Sequence, residues 1–231
     1  MHICFHAGDI CCYLERVPGC IMRTELTDDS MVNFGALILA AGASTRIGYP
    51  KALLQWRGKS FLENIIGTLR HARVWSIRVV TSPDGQRLLR ENFDLAGVEL
   101  VVNPNPELGQ FSSIRCGLRD LGVDMALLCL VDHPKISPAL IFELKEACLG
   151  TDALAVIPRF RGKRGHPIAL KMPMISAFLQ APDSATAKEV LLEHWPQVLE
   201  IDTGDSGAIA DIDTPADYER FLEETFPVGD R

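Results

Sequence analysis

The sequence predicts an α/β protein built on a mostly parallel, doubly wound sheet. From Asn33 onward, short apolar runs alternate with segments whose apolar residues repeat at helical spacing. A continuous apolar run at residues 125–131 is typical of a central parallel strand that helices cover on both faces. Strands that alternate with helices imply right-handed crossovers within one sheet. Because ligands bind outside the carboxyl ends of such strands, the residues that follow each strand are the candidates for a site.

The first half of the chain carries the clearest pattern. Ser60 precedes a helical stripe of apolar residues and is a good N-cap, and Phe111 opens another stripe that continues to Leu121. The predicted strands cover residues 34–41, 75–81, 98–102, 125–131 and 153–157, and the predicted helices cover residues 61–69, 84–92, 111–121 and 140–148.

The second half of the chain has a looser pattern. A basic turn at residues 159–164 follows the fifth predicted strand, and the next apolar run, at residues 168–170, is short. Asp213 and Thr214 supply cap chemistry, and Pro215 a first-turn proline, for a final helix. The other predicted elements are helices near residues 174–180 and 186–194, strands near 197–201 and 208–212, and the final helix from residue 215 to about 224.

Composition and charge exclude several classes of protein. The chain has 231 residues, of which 47% are hydrophobic and 23% charged, which excludes a disordered or fibrous protein. Its 23 basic and 30 acidic residues give a net charge of −7, which disfavours non-specific binding to nucleic acid. No apolar run reaches the roughly 18–20 residues that cross a membrane as a helix. Seven cysteines in a chain of this size favour reduced thiols and a cytoplasmic location.

Residues 1–32 differ from the rest of the chain. Four of the seven cysteines lie there, namely Cys4, Cys11, Cys12 and Cys20. A zinc site is possible, but no C-x2-C pair exists and adjacent cysteines suit shared zinc ligation poorly. We expect a poorly ordered extension over residues 1–32, followed by a single domain over residues 33–231.

The loop after the first predicted strand carries the strongest functional signal. Gly42 and Gly48 allow the backbone to turn sharply and to approach a ligand closely. Backbone N–H groups of such a loop can bind phosphate oxygens, while Arg46 offers a planar fork and Lys51 a mobile point charge. The alternative is an ordinary turn with two solvated cations. The motifs G-x-G-x-x-G and G-x4-G-K-[ST] are both absent, so neither a dinucleotide site nor an ATPase-type phosphate loop is indicated.

Four segments of the chain carry a specific set of motifs. In order they are Leu39-Ala40-Ala41-Gly42-Ala43-Ser44-Thr45-Arg46-Ile47-Gly48 with Pro50-Lys51, Gly109-Gln110-Phe111-Ser112-Ser113-Ile114-Arg115-Cys116-Gly117-Leu118, Gly165-His166-Pro167, and Asp211-Ile212-Asp213-Thr214-Pro215-Ala216-Asp217-Tyr218. Together they resemble the MobA-like nucleotidyltransferases, and within them the molybdenum cofactor cytidylyltransferase branch. The first motif is shared by many nucleotidyltransferases, whereas the ordered combination is much more restrictive. The resemblance spans roughly residues 34–226.

The resemblance implies a three-layer αβα fold of the nucleotide-diphospho-sugar transferase type. It also implies a Mg²⁺-dependent reaction, in which a phosphate of molybdopterin, or of its molybdenum-loaded form, attacks the α-phosphorus of an NTP and pyrophosphate leaves. The form Ala40-Ala41-Gly42 goes with the cytidylyl branch, because the guanylyl branch usually carries a second glycine, so CTP is the expected nucleotide. A molybdenum hydroxylase is an expected recipient of the product. The residues expected to bind the nucleotide in this loop are Leu39, Ala40, Ala41, Gly42 and Ser44.

Two aspartates are candidate metal ligands. Asp132 directly follows the predicted central strand, and Asp213 follows the strand predicted at residues 208–212. Mg²⁺ prefers one or two carboxylates together with phosphate oxygens and water. The alternative for each aspartate is an N-cap of the following helix. Asp211 is less suited, because an alternating strand would place it farther down the same face. The predicted catalytic residues are Arg46, Lys51 and Asp132.

Two serines and a histidine are further candidates. Ser112 and Ser113 open a helix behind Gly109, where a helix N-terminus with hydroxyls suits an anion or the polar edge of a base. By resemblance they line the nucleotide pocket, and the alternative is plain N-capping. By resemblance His166 faces the acceptor phosphate, whereas the arginines before it fit a solvated basic hairpin. The family usually has Gln or Met after the metal-binding aspartate, and His133 at that place leaves the exact substrate open.

Other functions remain compatible with the sequence. A nucleotidyltransferase of the same fold could act on a sugar phosphate or another small-molecule phosphate. A non-catalytic carrier could bind molybdopterin and transfer it to a hydroxylase. Such a carrier would tolerate the loss of Lys51 or Asp132, whereas an enzyme would not.

Overall fold

The computed structural model describes residues 32–225, and a mixed sheet organises this part of the chain. In chain order the strands are Phe34–Leu39 (β1), Gln55–Trp56 (β2), Lys59–Ser60 (β3), Ser76–Thr81 (β4), Val98–Val102 (β5), Met125–Leu130 (β6), Ala155–Phe160 (β7), Lys163–Arg164 (β8), Ile168–Lys171 (β9) and Val198–Asp202 (β10). The helices are Phe61–His71 (α1), Pro83–Asn92 (α2), Gln110–Leu118 (α3), Pro138–Leu149 (α4), Met172–Gln180 (α5), Ala187–Glu193 (α6) and Pro215–Thr225 (α7).

The main sheet has the strand order β10-β7-β9-β6-β1-β4-β5, and the short strand β8 pairs with β7. Strand β1 is parallel to both β4 and β6, β4 is parallel to β5, and β7 is parallel to β10. Strand β9 runs antiparallel between β6 and β7. The carboxyl ends of β1, β4, β6, β7 and β10 therefore meet at one edge of the sheet.

Apolar residues pack on both faces of this sheet, as the unbroken apolar strands predict. In β1, Ala36 and Ile38 belong to one core with residues of α1, α2 and α4. Leu37 and Leu39 belong to the other core, with residues of α3, α5 and α6. The expected three-layer αβα fold is thus confirmed, and the helix start predicted at Ser60 is a capping box with Glu63.

One predicted strand is wrong. The apolar run at residues 208–212 forms no strand, and a short 3-10 helix covers Ser206–Ile209 instead. The N–H of Ala208 donates to the backbone oxygen of Asp205 and that of Ala210 to the backbone oxygen of Gly207, at 3.3 Å each, so the chain turns on itself instead of pairing with a neighbouring strand. Alternating apolar residues therefore mark the buried side of a turn here, with Ala208 fully buried.

A third apolar cluster joins the last helix to the ribbon of β2 and β3. Trp56 and Phe61 pack against Phe221 of α7, with ring centroids 5.2 and 5.8 Å apart. The hydroxyl of Tyr218 donates to the backbone oxygen of Gln55 at 2.7 Å. Because α7 begins two residues after Asp213, this packing places Asp213 beside the segment that follows β1.

Two further expectations concern the chain as a whole. The extension expected over residues 1–32 falls, except for its last residue, outside the described residues. Within residues 32–225, every helix is too short or too polar to cross a lipid bilayer.

Candidate functional site

A cleft of about 940 Å³ opens at the carboxyl ends of β1, β4 and β6. This is the edge that the parallel topology predicts for a ligand site. The loop after β1, the first turn of α2 and the start of α3 form its walls. The predicted site residues that line it are Leu39, Ala40, Ala41, Gly42, Ser44, Arg46, Lys51, Ser113, Asp132 and Asp213.

The loop after β1 is held by its own backbone. The N–H of Gly48 donates to the backbone oxygen of Ser44 at 2.9 Å, and the φ of 70° at Gly48 is one that glycine adopts without strain. The Ser44 hydroxyl accepts the N–H of Lys51 at 3.3 Å, where a short 3-10 helix begins. These bonds turn the chain back, so that Arg46 and Lys51 lie on the same side of the cleft.

Four charged side chains meet at one end of the cleft, and we call Arg46, Lys51, Asp132 and Asp213 the charged corner. The Lys51 ammonium lies 2.8 Å from Oδ2 of Asp132 and 2.5 Å from Oδ1 of Asp213. Arg46 lies 2.7 Å from the other oxygen of Asp213, and its side chain is 70% exposed, whereas that of Lys51 is 13% exposed. The lysine is thus fixed between two carboxylates, while the arginine is free to turn toward a ligand.

Charge pairing keeps Lys51 protonated and Asp132 ionised. Burial acts to lower the pKa of Lys51, but its bonds to Asp132 and Asp213 outweigh burial and raise it. Burial likewise acts to raise the pKa of Asp132, but bonds from His133 and Lys51 hold it well below its ordinary value. His133 is buried, and its Nδ1 lies 2.9 Å from Oδ1 of Asp132. Because that oxygen belongs to an ionised carboxylate, Nδ1 carries the proton.

The donor set of the charged corner fits a hard divalent cation. Among residues 32–225, no group of three His, Cys, Asp or Glu side chains could hold a metal ion. Mg²⁺ needs no such group, because one or two carboxylates with phosphate oxygens and water suffice. Asp132 and Asp213 provide the two carboxylates, and their sharing of the Lys51 ammonium shows that they lie close enough to hold one cation together.

The two predicted serines lie at the start of α3 and serve the protein's own structure. The side-chain amide of Asn103 donates to the hydroxyls of Ser112 and Ser113, at 2.9 Å each. Ser112 also donates to the backbone oxygen of Gly109 at 2.7 Å. We call Asn103, Ser112 and Ser113 the serine cluster. Ser113 lines the cleft and Ser112 does not, so the structure gives no support to a nucleotide contact by Ser112. The N-capping alternative is wrong for both serines, because Gly109 is the N-cap of α3 and no side chain caps this helix.

His166 lies behind the charged corner rather than in the cleft. Its ring packs against that of His133 with centroids 5.5 Å apart, and it is absent from the residues that line the cleft. Burial first, and then the neighbouring His133, lower the pKa of His166 to about 4. A neutral imidazole in this place supports His133 and does not offer a charge to an acceptor phosphate.

Two arginines of the basic hairpin before His166 form ion pairs with acidic residues of β10. Arg159 forms an ion pair with Asp202 at 2.8 Å, and Arg164 pairs with Glu200. Arg161, at the turn, is exposed. The interpretation of the hairpin as a surface feature is therefore consistent with the structure for Arg159 and Arg164.

The sequence interpretation did not single out the wall that α2 provides. Thr81, the last residue of β4, lines the cleft together with Ser82 and Gly85, which follow the strand. They lie at the end of a predicted parallel strand, so the rule that placed Asp132 would also have found them.

Comparisons with known proteins indicate the family of this chain. The model of the MobA-like NTP transferase domain matches residues 36–198. The molybdenum cofactor cytidylyltransferase of Escherichia coli is 26% identical over 81% of this chain and 96% of its own length. A probable molybdenum cofactor guanylyltransferase of Methanosarcina acetivorans is 26% identical over 62% of this chain and 64% of its own length.

A differently named protein is similar over nearly the same length. The nicotine blue oxidoreductase of Paenarthrobacter nicotinovorans is 27% identical over 80% of this chain and 95% of its own length. Among solved structures, molybdopterin-guanine dinucleotide biosynthesis protein A of Archaeoglobus fulgidus has a TM-score of 0.64 at 18% identity, over 83% of this chain and 98% of that one. This likeness shows the fold. Since the family model covers most of the chain, the chain belongs to the MobA-like NTP transferase domain family.

Proposed function

We propose that this protein is a Mg²⁺-dependent nucleotidyltransferase that transfers CMP from CTP to the phosphate of molybdopterin or of molybdenum cofactor. The observation that carries the proposal is the charged corner, in which one partly buried ammonium lies within 2.8 Å of two carboxylates beside an exposed guanidinium. A molybdenum hydroxylase would then receive the dinucleotide product.

The chemistry requires no nucleophile from the protein. An oxygen of the acceptor phosphate, already anionic near neutral pH, bonds to the α-phosphorus of the NTP, and the bond from that phosphorus to the bridging oxygen of pyrophosphate breaks. Pyrophosphate leaves with the electron pair. Such reactions depend on position, in-line geometry and neutralised charge. A protein of net charge −7 has to provide that neutralisation locally.

The described residues can supply each of these requirements. Backbone N–H groups of the loop after β1 and the exposed fork of Arg46 are placed to bind the triphosphate. Asp132 and Asp213 would hold Mg²⁺, which supplies positive charge to the phosphate oxygens. Lys51 would then turn its ammonium from the carboxylates toward the phosphates, and His133 would keep Asp132 oriented through Nδ1.

The preference for CTP rests on two observations. The loop reads Ala40-Ala41-Gly42, without the second glycine that is usual in the guanylyl branch. The relative named as a cytidylyltransferase is matched over 96% of its length, whereas the guanylyltransferase relative is matched over 64%. The acceptor is proposed from the same relatives, because the names of both include molybdenum cofactor.

Pyrophosphate release tests this proposal. The protein is incubated with Mg²⁺, isolated molybdopterin and each of CTP, GTP, ATP and UTP in turn, and pyrophosphate and the dinucleotide product are measured. We expect release with CTP and only when the acceptor is present. Faster pyrophosphate release with GTP would show that the protein transfers GMP rather than CMP. Binding of molybdopterin without release with any NTP would favour the non-catalytic carrier, and release with a sugar phosphate instead would change the acceptor.

One relative motivates a second candidate function. Because the nicotine blue oxidoreductase is as similar to this chain as the cytidylyltransferase is, family membership alone does not decide between transfer and reduction. The absence of G-x-G-x-x-G argues against a dinucleotide site of the usual kind. An added assay with NADH or NADPH and a quinonoid dye separates the two, since turnover there without pyrophosphate release would establish reduction.

A further inference from the structure

Asp213 lies in the charged corner although no strand directly precedes it. Strand β10 ends at Asp202 at the edge of the sheet, three strand positions from β6, whose carboxyl end carries Asp132. Residues 203–212 therefore cross about 14 Å, since neighbouring strands lie roughly 4.8 Å apart. A crossing segment has many conformations open to it, so specific contacts must fix where its last residue lies.

Asp205 ties this crossing segment to the loop that follows β6. Its Oδ2 accepts the N–H of Ser137 at 2.9 Å, and its Oδ1 accepts the N–H of Gly207 at 2.7 Å. Ser137 is the N-cap of α4 and lies five residues after Asp132. One carboxylate thus joins the beginning of the crossing segment to the loop that begins with Asp132.

The segment then lies against the loop after β6 at Gly207 and against the connection between β8 and β9 at Ala208. A Cβ atom at Gly207 would overlap the backbone oxygen of Lys135, and one at Gly165 would overlap that of Ala208. At its far end, the N–H of Ile212 donates to the backbone oxygen of Asp132 at 3.1 Å. The crossing segment is therefore fixed at both ends to one loop, and Asp213 is the next residue.

We propose that Asp205 is a positioning residue that sets the Asp213 carboxylate against Lys51. Its carboxylate touches backbone N–H groups and is not among the residues that line the cleft, so it acts through Asp213 rather than on a ligand. This proposal rests on the proposed nucleotidyl transfer, because it assumes that Asp213 works with Asp132 on a divalent cation.

The variant Asp205→Asn tests the proposal, because asparagine keeps the shape but presents one N–H₂ group where an acceptor is needed. We expect kcat for pyrophosphate release to fall about 10–100-fold, as for other groups that orient a metal ligand. Mn²⁺ affinity in the presence of CTP, measured by paramagnetic resonance without acceptor, falls by a similar factor. Asp202→Asn is the matched control, because Asp202 lies three residues earlier and pairs at the surface with Arg159. We expect it to change neither value.

A double-mutant cycle separates positioning from general loss of structure. If Asp205 acts through Asp213, adding Asp205→Asn to Asp213→Asn weakens Mn²⁺ affinity no further. An equal loss in both backgrounds, or unchanged Mn²⁺ affinity in the single variant, would overturn the positioning role. Should Asp205→Asn not fold, Asp205→Ser serves in its place, because its hydroxyl can still accept from Gly207 but is too short for Ser137.

The outcome also distinguishes this proposal from the proposed function. Mn²⁺ binding that depends on Asp205 and Asp213, without pyrophosphate release, would support positioning and refute nucleotidyl transfer. Pyrophosphate release by the wild type, together with unchanged Mn²⁺ affinity in Asp205→Asn, would support nucleotidyl transfer and refute the positioning role of Asp205. A wild-type protein that binds no Mn²⁺ with CTP would overturn both.

Discussion

The charged corner and the serine cluster both belong to the region of the cleft, but their polar groups are used differently. In the charged corner, the ion pairs run between side chains from separate segments, as with Lys51, Asp132 and Asp213. In the serine cluster, the side chains bond to one another and to the nearby backbone. A ligand can exchange partners with the first set at little structural cost, whereas it would have to break a folded loop to use the second. We therefore expect the charged corner to take part in the reaction and the serine cluster to stabilise the loop before α3.

The largest effect that this contrast predicts is that of Asp132→Asn. The amide keeps the size of the side chain but loses the charge that would hold Mg²⁺, so we expect kcat to fall by about 10²–10³-fold, comparable to the loss of a transition-state contact. Pyrophosphate release and thermal unfolding are measured together, with the exposed Asp152→Asn as control. Near-normal turnover would remove Asp132 from the metal role and weaken the contrast.

Lys51→Met tests whether the ammonium and a divalent cation compete for the same carboxylates. Removal of the ammonium leaves Asp132 and Asp213 without their shared cation, so Mn²⁺ should bind more tightly in the absence of nucleotide. Turnover should still fall about 100-fold, because the triphosphate loses a charged contact. Calorimetry and the pyrophosphate assay give the two values, with Lys188→Met as control. Weaker Mn²⁺ binding in Lys51→Met would contradict the exchange of partners.

Arg46→Ala should have a smaller effect than either of these changes. The side chain is largely exposed, so its ion pair with Asp213 adds little to stability. A hydrogen bond to a charged group contributes about 1.5–3 kcal/mol, and because the Arg46 side chain is exposed we expect the lower end of this range, a fall in kcat/KM of about 10-fold. We would measure kcat/KM of Arg46→Ala by steady-state kinetics, with Arg90→Ala as the control. An unchanged kcat/KM would return Arg46 to the role of a solvated loop residue.

The pH dependence of stability tests the region behind the charged corner. The pKa of His166 is lowered to about 4 by burial and by His133, whereas an unfolded chain has a histidine pKa near 6.5. The unfolded state therefore binds the proton first, so stability is full above pH 6.5 and falls as the pH decreases toward 4. The loss is at most about 3 kcal/mol. Urea unfolding at several pH values should show this slope in the wild type and lose it in His166→Asn. The same slope in both proteins would show that His166 is not buried as a neutral group.

The smallest effect is expected from Ser112→Ala. The change removes one acceptor for Asn103 and one donor to Gly109, so we expect a loss of about 1 kcal/mol in the free energy of unfolding. The value of kcat should not change. A large decrease in kcat at unchanged stability would place Ser112 against the nucleotide. The charged corner and the serine cluster would then no longer differ in role.

The sequence predicted those parts of the site that strands carry directly. Asp132 lies two residues after β6, and Lys51 lies in the loop that follows β1, so hydrophobic pattern and topology predicted both at the same edge of the sheet. Asp213 was predicted for a reason that proved wrong, because the strand expected before it is a 3-10 turn. We propose that it is placed by the contacts of Asp205 with Ser137 and of Gly207 with Lys135, and periodicity does not reveal contacts between distant segments. The Asp-Ser-Gly sequence at residues 205–207 is a turn signal that could have corrected the strand.

The contact between Lys51 and Asp213 joins residues 162 positions apart in the chain. A ribosome makes the loop after β1 long before it makes Asp213 and the helix that packs Phe221 against Trp56. The four side chains of the charged corner are therefore all present only after residue 213 has been synthesised.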